Sequence, residues 1–341
     1  MAKRQNLVEK AKSASDRSLE RKIQNAEEEL KVLKTKYKFA CDEIASLEAK
    51  FKIVNDIKHV TKEMSFNKLK ASGESTAILV LSDWHAGETV DPSTINDLNE
   101  FSVEIFEKRA KACFEHAVMM LEVQRGLTKI DSLVVACIGD FISGALHDDQ
   151  RESDELSPSE SIMLCQDTIA NGLAFLKKET AMKHVTVVTC FGNHGRTTAK
   201  PRASTAHITS YEQIMYWQLA KTCKEYSWKV GNGYHNYLSI YDRQYRFHHG
   251  DSIKYLGGVG GLQIPAMKAI SDWDRTISAY YDIFGHYHTT SFARKYSSNG
   301  SLVGYNAFAL RNKCAFEEPS QNLILSSKKR GNILATQIFA T

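Results

Sequence analysis

Thr76-Ala77-Ile78-Leu79-Val80-Leu81-Ser82-Asp83-Trp84-His85 is the stretch whose reading decides the fold. Its first six residues are mostly apolar, fit for a strand covered on both faces, and they stop at an acid and a histidine. Two later runs repeat the plan. Leu133–Ile138 leads into Gly139-Asp140, and Val185–Phe191 leads into Gly192-Asn193-His194. Long helical patterns over about residues 101–125 and 158–180 separate them. Strand, helix, strand, helix, strand predicts the α/β class, with parallel strands and crossover helices.

After a further helix over about residues 209–226 the pattern changes. Tyr237–His248 reads as a hairpin around Asp242-Arg243, ending at His248-His249-Gly250-Asp251. Tyr281–Phe284 is a predicted strand running into Gly285-His286-Tyr287-His288. Further strands are expected at Ser291–Tyr296, Ser301–Phe308, Asn322–Leu325 and Ile333–Ile338, with a helix over 261–276. This half suggests antiparallel pairing, and two sheets flanked by helices accommodate both halves.

Five clusters of acids, amides and histidines therefore follow strands, where open α/β sheets place ligand-binding residues. Asp83 and His85 are two apart, so an extended segment projects both to one side and Trp84 to the other; His286 and His288 repeat this around Tyr287. Singly, such pairs are common, and an isolated histidine more often fills a structural role. Together they supply ligands for two divalent ions and one spare histidine, which points to metal-assisted cleavage of a phosphate ester. Carboxylate, amide and imidazole donors suit Mn²⁺, Fe²⁺ or Zn²⁺, and the lack of thiolates argues against a structural zinc.

The 341 residues, 43% hydrophobic and 25% charged, suffice for one large domain plus an appendage. No apolar run reaches the roughly 18 residues of a membrane span, and the polar start predicts no secretory leader. The seven scattered cysteines form no CxxC and are expected to be reduced thiols, which implies a cytoplasmic protein. The net charge of +4 is uneven: residues 1–70 carry 17 basic against 11 acidic residues, and the remainder 27 against 29. Charge alone does not support a basic nucleic-acid face on the body.

The appendage has its own pattern. Leu19, Ile23, Ala26, Leu30, Leu33, Tyr37, Ala40, Ile44, Leu47, Phe51 and Val54 step by four and three, with Leu19 at d and Ile23 at a. Sustained heptads without Gly or Pro predict a coiled coil over residues 1–56, a linker over 57–75 and a catalytic domain over 76–341. The competing reading is an amphipathic helix lying on its own domain. No second heptad helix exists to form a hairpin, so a homo-oligomer or a partner protein is expected. In a parallel pairing Lys22 faces Glu27 and Glu29 faces Lys34, while Glu43 opposes Glu48, a mild parallel preference.

The series Asp83-x-His85, Gly139-Asp140, Gly192-Asn193-His194, His249-Gly250 and Gly285-His286-x-His288 resembles the calcineurin-like metallophosphoesterase superfamily over roughly residues 76–341. The resemblance implies a four-layered αββα sandwich holding two divalent metal ions, with Mn²⁺ favoured. It implies that Asp83, His85 and His288 hold the first metal and Asn193, His249 and His286 the second. Asp140 would bridge both, and His194 would act as general acid. The family pattern puts the ligand directly before the glycine, which selects His249 over His248. The Asp-Arg pair and the acid that mark the protein Ser/Thr phosphatases are missing after Asp140 and His194. The SbcD-like nuclease branch is similar in its second and last motifs, but only 53 residues follow His288, which leaves no obvious room for its capping domain. Gly139–Asp148, His249–Gly261 and Asn299–Tyr305 are similar to bacteriophage members, which would place the chain in a host cytoplasm.

The function implied is a phosphodiesterase or nuclease acting on nucleic acid, DNA favoured. The alternatives are an enzyme on a small nucleotide or cyclic nucleotide, and an assembly protein with a structural metal site. Arg196, Arg202 and His147 are the candidate substrate contacts, in loops that start at the metal motifs. The glycine-rich Gly257–Gly261 could serve as a lid, and Lys328-Lys329-Arg330 reads as a turn between terminal strands.

Overall fold

The computed structural model describes residues 2–56, 73–144, 152–255 and 260–341. The chain divides into two units, Met1–Lys68 and Leu69–Thr341. The first contains one continuous helix, α1 (Ala2–Asp56). Along it Leu19, Ile23, Leu30, Leu33, Tyr37, Ile44, Leu47 and Phe51 are all 50–73% exposed. No helix among the described residues is long and apolar enough to cross a membrane.

The second unit is mixed α/β with two sheets. Its elements run β1 (Glu74–Leu81), α2 (Val103–Arg125), β2 (Lys129–Cys137), α3 (Pro158–Thr180), β3 (His184–Thr189), α4 (Tyr211–Thr222) and β4 (Ser227–Val230). Then come β5 (His235–Ile240), β6 (Arg243–His248), α5 (Gln263–Asp274), β7 (Tyr281–Phe284), β8 (Ser291–Phe292) and β9 (Tyr296–Ser298). The chain finishes with α6 (Ala307–Arg311), β10 (Ser320–Ser327) and β11 (Gly331–Phe339). The helices start where local chemistry allows. Ser157 and Glu160 form a reciprocal capping box at α3, followed by Pro158, and Ser102 caps α2 through the Ile105 N–H.

The first sheet has the order β11-β10-β1-β2-β3-β4. Strands β1 to β4 are parallel, as the alternation with helices requires, and β10 and β11 add antiparallel. The second sheet has the order β5-β6-β7-β9-β8. It is not purely antiparallel: β6–β7 run parallel, because α5 carries the chain back across between them, and β7–β9 run parallel with the short β8 intervening in the chain.

Other expectations also shift. Strand β1 begins at Glu74, so Glu74 and Ser75, expected in the linker, pair with β2; residues 57–72 lie outside the described residues. Strand β4 was not expected. Ser291–Tyr296 is broken into β8 and β9 by a tight turn closed by Ala293 N–H to the Tyr296 carbonyl, 2.9 Å. Ser301–Phe308 is not a strand: Gly304 turns the chain at φ +73°, and the Asn306 side chain caps α6. Its apolar Leu302 and Val303 are buried as loop residues.

Alternate residues of the central strands serve different cores, as period two dictates. Ala77, Leu79 and Leu81 pack with Leu133, Val135 and residues of α2, α3 and α4, among them Phe106, Phe114, Ile169, Leu173 and Tyr216. Ile78 and Val80 face the other way, with Val134, Ala136 and Val188, against Tyr245, Phe247 and Ile283 of the second sheet. A smaller core joins Phe284 and Tyr296 to Ala266 and Ile270 of α5. Buried Arg246 ties β6 to β7 and α5 through Asp282 (2.6 Å) and Asp274 (3.0 Å).

Candidate metal centre

Parallel β1, β2 and β3 deliver their following loops to one end of the first sheet, and β6 and β7 do the same for the second. The loops are laced together by backbone hydrogen bonds. Asp83 N–H donates to the Gly139 carbonyl (3.0 Å), His85 N–H to Asp140 (3.2 Å), and Gly285 N–H to His249 (2.8 Å). The sheets are also joined at the site: His286 N–H donates to Asp83 Oδ1 at 2.9 Å, and His249 Nδ1 lies 2.9 Å from the Ile138 carbonyl oxygen.

Two groups of ligand-type side chains result, Asp83 with His85 and His288, and Asp140 with His249 and His286; within each, one donor atom per residue lies within 4.8 Å of the others. In the first group the Nε2 atoms of His85 and His288 face each other at 3.1 Å, and His288 Nε2 is 3.5 Å from Asp83 Oδ1. In the second, His249 Nε2 is 2.8 Å from Asp140 Oδ2 and 3.1 Å from Asn193 Oδ1. Converging imidazole nitrogens with carboxylate and amide oxygens form a donor set suited to divalent cations. The His249 Nδ1 contact to a carbonyl keeps a proton on that nitrogen and directs Nε2 to the site.

The expected alternation of an extended segment is not how the pairs converge. Asp83, His85, Asp140, His286 and His288 all have left-handed backbones, with φ between 49° and 70°. Each side chain is aimed by a local bend, and Trp84 is buried against Phe141 and Phe106. Glycine serves close approach here: a Cβ on Gly192 would meet Asp140 Oδ1 at 2.1 Å, and one on Gly285 would meet Asp83 Oδ2 at 2.2 Å.

Burial dominates the electrostatics. It pushes His286 down to about 3 and His288 to about 4, and holds His85 well below the ordinary imidazole range, so these rings are neutral. It lifts Asp83 to about 7. Burial would also raise Asp140, but the nearby His249 and His194 outweigh it and hold the carboxyl well below its usual range.

His194 and His249 take separate places. The His194 N–H donates to Asp140 Oδ1 (2.8 Å), its Nδ1 lies 2.8 Å from the Ser143 carbonyl oxygen, and its ring sits edge-on to His85 at 4.8 Å. His248 points away from the site, stacked on Phe284 with Nε2 3.5 Å from Asp282. Arg196 is turned inward: Nη1 donates to the Asn193 carbonyl (2.6 Å) and Nε to that of Thr198 (3.2 Å), bracing the loop. Arg202 is exposed, and with Arg196, Asn193, Tyr234 and Asp251 it lines a crevice. His147 and residues 256–259 of the glycine-rich run lie outside the described residues.

Two acids were missed in the sequence. Glu212, at the start of α4, is fully buried and accepts the backbone N–H groups of Phe141 and Gly192, both at 2.6 Å. One carboxylate thus spans the loops bearing Asp140 and Asn193; burial and the Asp140 charge raise it to about 8. Glu88 accepts from Ser143 Oγ (3.2 Å) and Asn306 Nδ2 (2.8 Å), and lies 3.7 Å from His85 Nδ1. Nothing in their sequence surroundings marks either; Glu212 reads as an ordinary first-turn acid behind Ser210.

No family profile matches this chain. No curated protein matches it either. Among solved structures it is similar to wild-type Vps29 complexed with zinc from Entamoeba histolytica, at 11% identity and TM-score 0.31, over 78% of this chain and 99% of that one. It is also similar to a conserved uncharacterized protein, a predicted phosphoesterase, from Streptococcus pneumoniae TIGR4, at 11% identity and TM-score 0.29, over 77% and 97%. A hypothetical protein from Pyrococcus horikoshii OT3 aligns at 11% identity and TM-score 0.36, over 77% and 87%.

Proposed function

We propose that this protein is a two-metal phosphodiesterase, on the four-layered αββα plan of the calcineurin-like superfamily, acting on nucleic acid. The observation that carries the reading is the pair of ligand groups at adjoining strand ends, Asp83/His85/His288 and Asp140/His249/His286, with Asn193 beside the second. Bound cations would supply an activated water and neutralise charge on the attacked phosphate. Asp83, His85 and His288 would hold one, His249, His286 and Asn193 the other, and Asp140 would serve both.

The chain's own residues supply the remainder. With Nδ1 directed at the Ser143 carbonyl, His194 presents Nε2, from which a proton would pass to the leaving oxygen. Glu212 holds the Asp140 and Asn193 loops at fixed separation, so neither ligand must be ordered by the metal itself. The exposed Lys200 and Arg202 follow His194 on a loop braced by Arg196, and they support contacts to flanking phosphates. A second reading, a small nucleotide or cyclic nucleotide as substrate, is favoured by the slight acidic excess beyond residue 70.

The test is a panel of single- and double-stranded DNA, RNA, cyclic nucleotides and a chromogenic diester, with Mn²⁺, Fe²⁺ or Zn²⁺ added to metal-free protein. Polynucleotide cleavage that falls steeply with salt supports the lead reading. Activity confined to small diesters transfers the proposal to the second. Biological activity retained by Asp140→Asn would leave the metals a structural role and make the chain an assembly protein.

A further inference from the structure

Helix α1 carries an apolar seam that no described residue of its own unit covers: Leu30, Leu33, Tyr37, Ile44, Leu47 and Phe51 are each at least half exposed. An exposed stripe this long is unstable in water unless something packs on it. We infer that the occupant is a second copy of the same helix, running antiparallel, with its twofold axis between residues 38 and 39.

Charge favours self-pairing without choosing a direction. Parallel, Lys22–Glu27 and Glu29–Lys34 attract while Glu43–Glu48 repels. Antiparallel, Glu29–Lys50 and Lys36–Glu43 attract across the g positions while Glu27–Glu48 repels across the e positions. The balance is the same, so the mild parallel preference read from one arrangement disappears when both are compared.

Side-chain volume chooses. The a and d layers mix large residues with alanines at 26 and 40. A parallel pair sets like against like: Tyr37 on Tyr37 and Phe51 on Phe51, with Ala26 on Ala26 and Ala40 on Ala40, alternately crowded and hollow. The antiparallel pair sets Tyr37 on Ala40, Phe51 on Ala26, Leu30 on Leu47 and Ile44 on Leu33, so every layer holds a similar volume. At 1.5 Å per residue, the two Asp56 ends then lie about 50 Å apart, at opposite ends of the coil.

The experiment uses the full chain with the exposed Cys41 and Cys314 replaced by serine. Leu30→Cys and Leu47→Cys proteins carrying different tags are mixed and oxidised under air. The expected product is the mixed disulfide between positions 30 and 47; disulfides joining like positions would overturn the antiparallel pairing. Sedimentation should show a dimer that Ala40→Leu weakens at least tenfold by overfilling the layer opposite Tyr37. A dimer strengthened by Ala40→Leu, a monomer at all concentrations or a larger assembly would each refute the proposal.

Discussion

Helices α1 and α3 look alike as sequence and behave oppositely as structure. Both are long, free of proline beyond the first turn, and carry an apolar residue every three or four positions. In α3 that stripe is Cys165, Ile169, Leu173 and Leu176, all buried against the first sheet, while Gly172 admits the Phe114 ring. In α1 the corresponding stripe is covered by no described residue of its own unit. Periodicity therefore reports that a face will be covered, and only the neighbours say by what. The second unit draws even carboxylates inside; α1 leaves its leucines out.

The contrast can be tested by substitution, because changes in the body should be costly and changes in α1 silent for the body. The largest effect is expected for His194→Ala, which should lower kcat by about 10²–10⁴-fold while metal content, measured by elemental analysis, stays unchanged. Lost metal would recast His194 as a ligand. Next comes Leu173→Ala, expected to destabilise the body by about 2–5 kcal/mol in denaturant unfolding through the cavity it leaves in α3. Glu212→Gln keeps the shape but presents an amide N–H to one of two backbone donors. It should weaken metal affinity by about 10–100-fold in calorimetry, with little change in the far-ultraviolet spectrum. Global unfolding of that variant would make Glu212 a core residue rather than a spacer for the site. The smallest effect is expected for Leu33→Asp in α1: body unfolding and turnover of a small diester should match the parent, and only the sedimentation coefficient should fall. Lost turnover there would mean that α1 reaches into the chemistry.

Much of this was readable in the chain because strands that end in acids and histidines announce themselves. Leu81 before Asp83, Ile138 before Asp140 and Phe284 before His286 each mark a buried strand and the point where it stops. The donor set was legible; its geometry was not. Alternation in an extended segment would have aimed Asp83 and His85 together, but positive φ at both does it instead, and backbone sign is not written in composition. Ser301–Phe308 misled because Leu302 and Val303 are buried without being a strand, a distinction made by Gly304. Glu212 was silent because its partners, the Phe141 and Gly192 N–H groups, are 71 and 20 residues distant.

The left-handed backbones of Asp83, His85, Asp140, His286 and His288 carry a consequence for substitution. A side chain held there costs of order 1 kcal/mol or more relative to glycine, and the Asp83 and Asp140 carboxylates offset part of it by accepting the His286 and His194 N–H groups. Alanine at any of the five therefore keeps the strain and loses the side-chain contacts, whereas glycine alone relieves the strain.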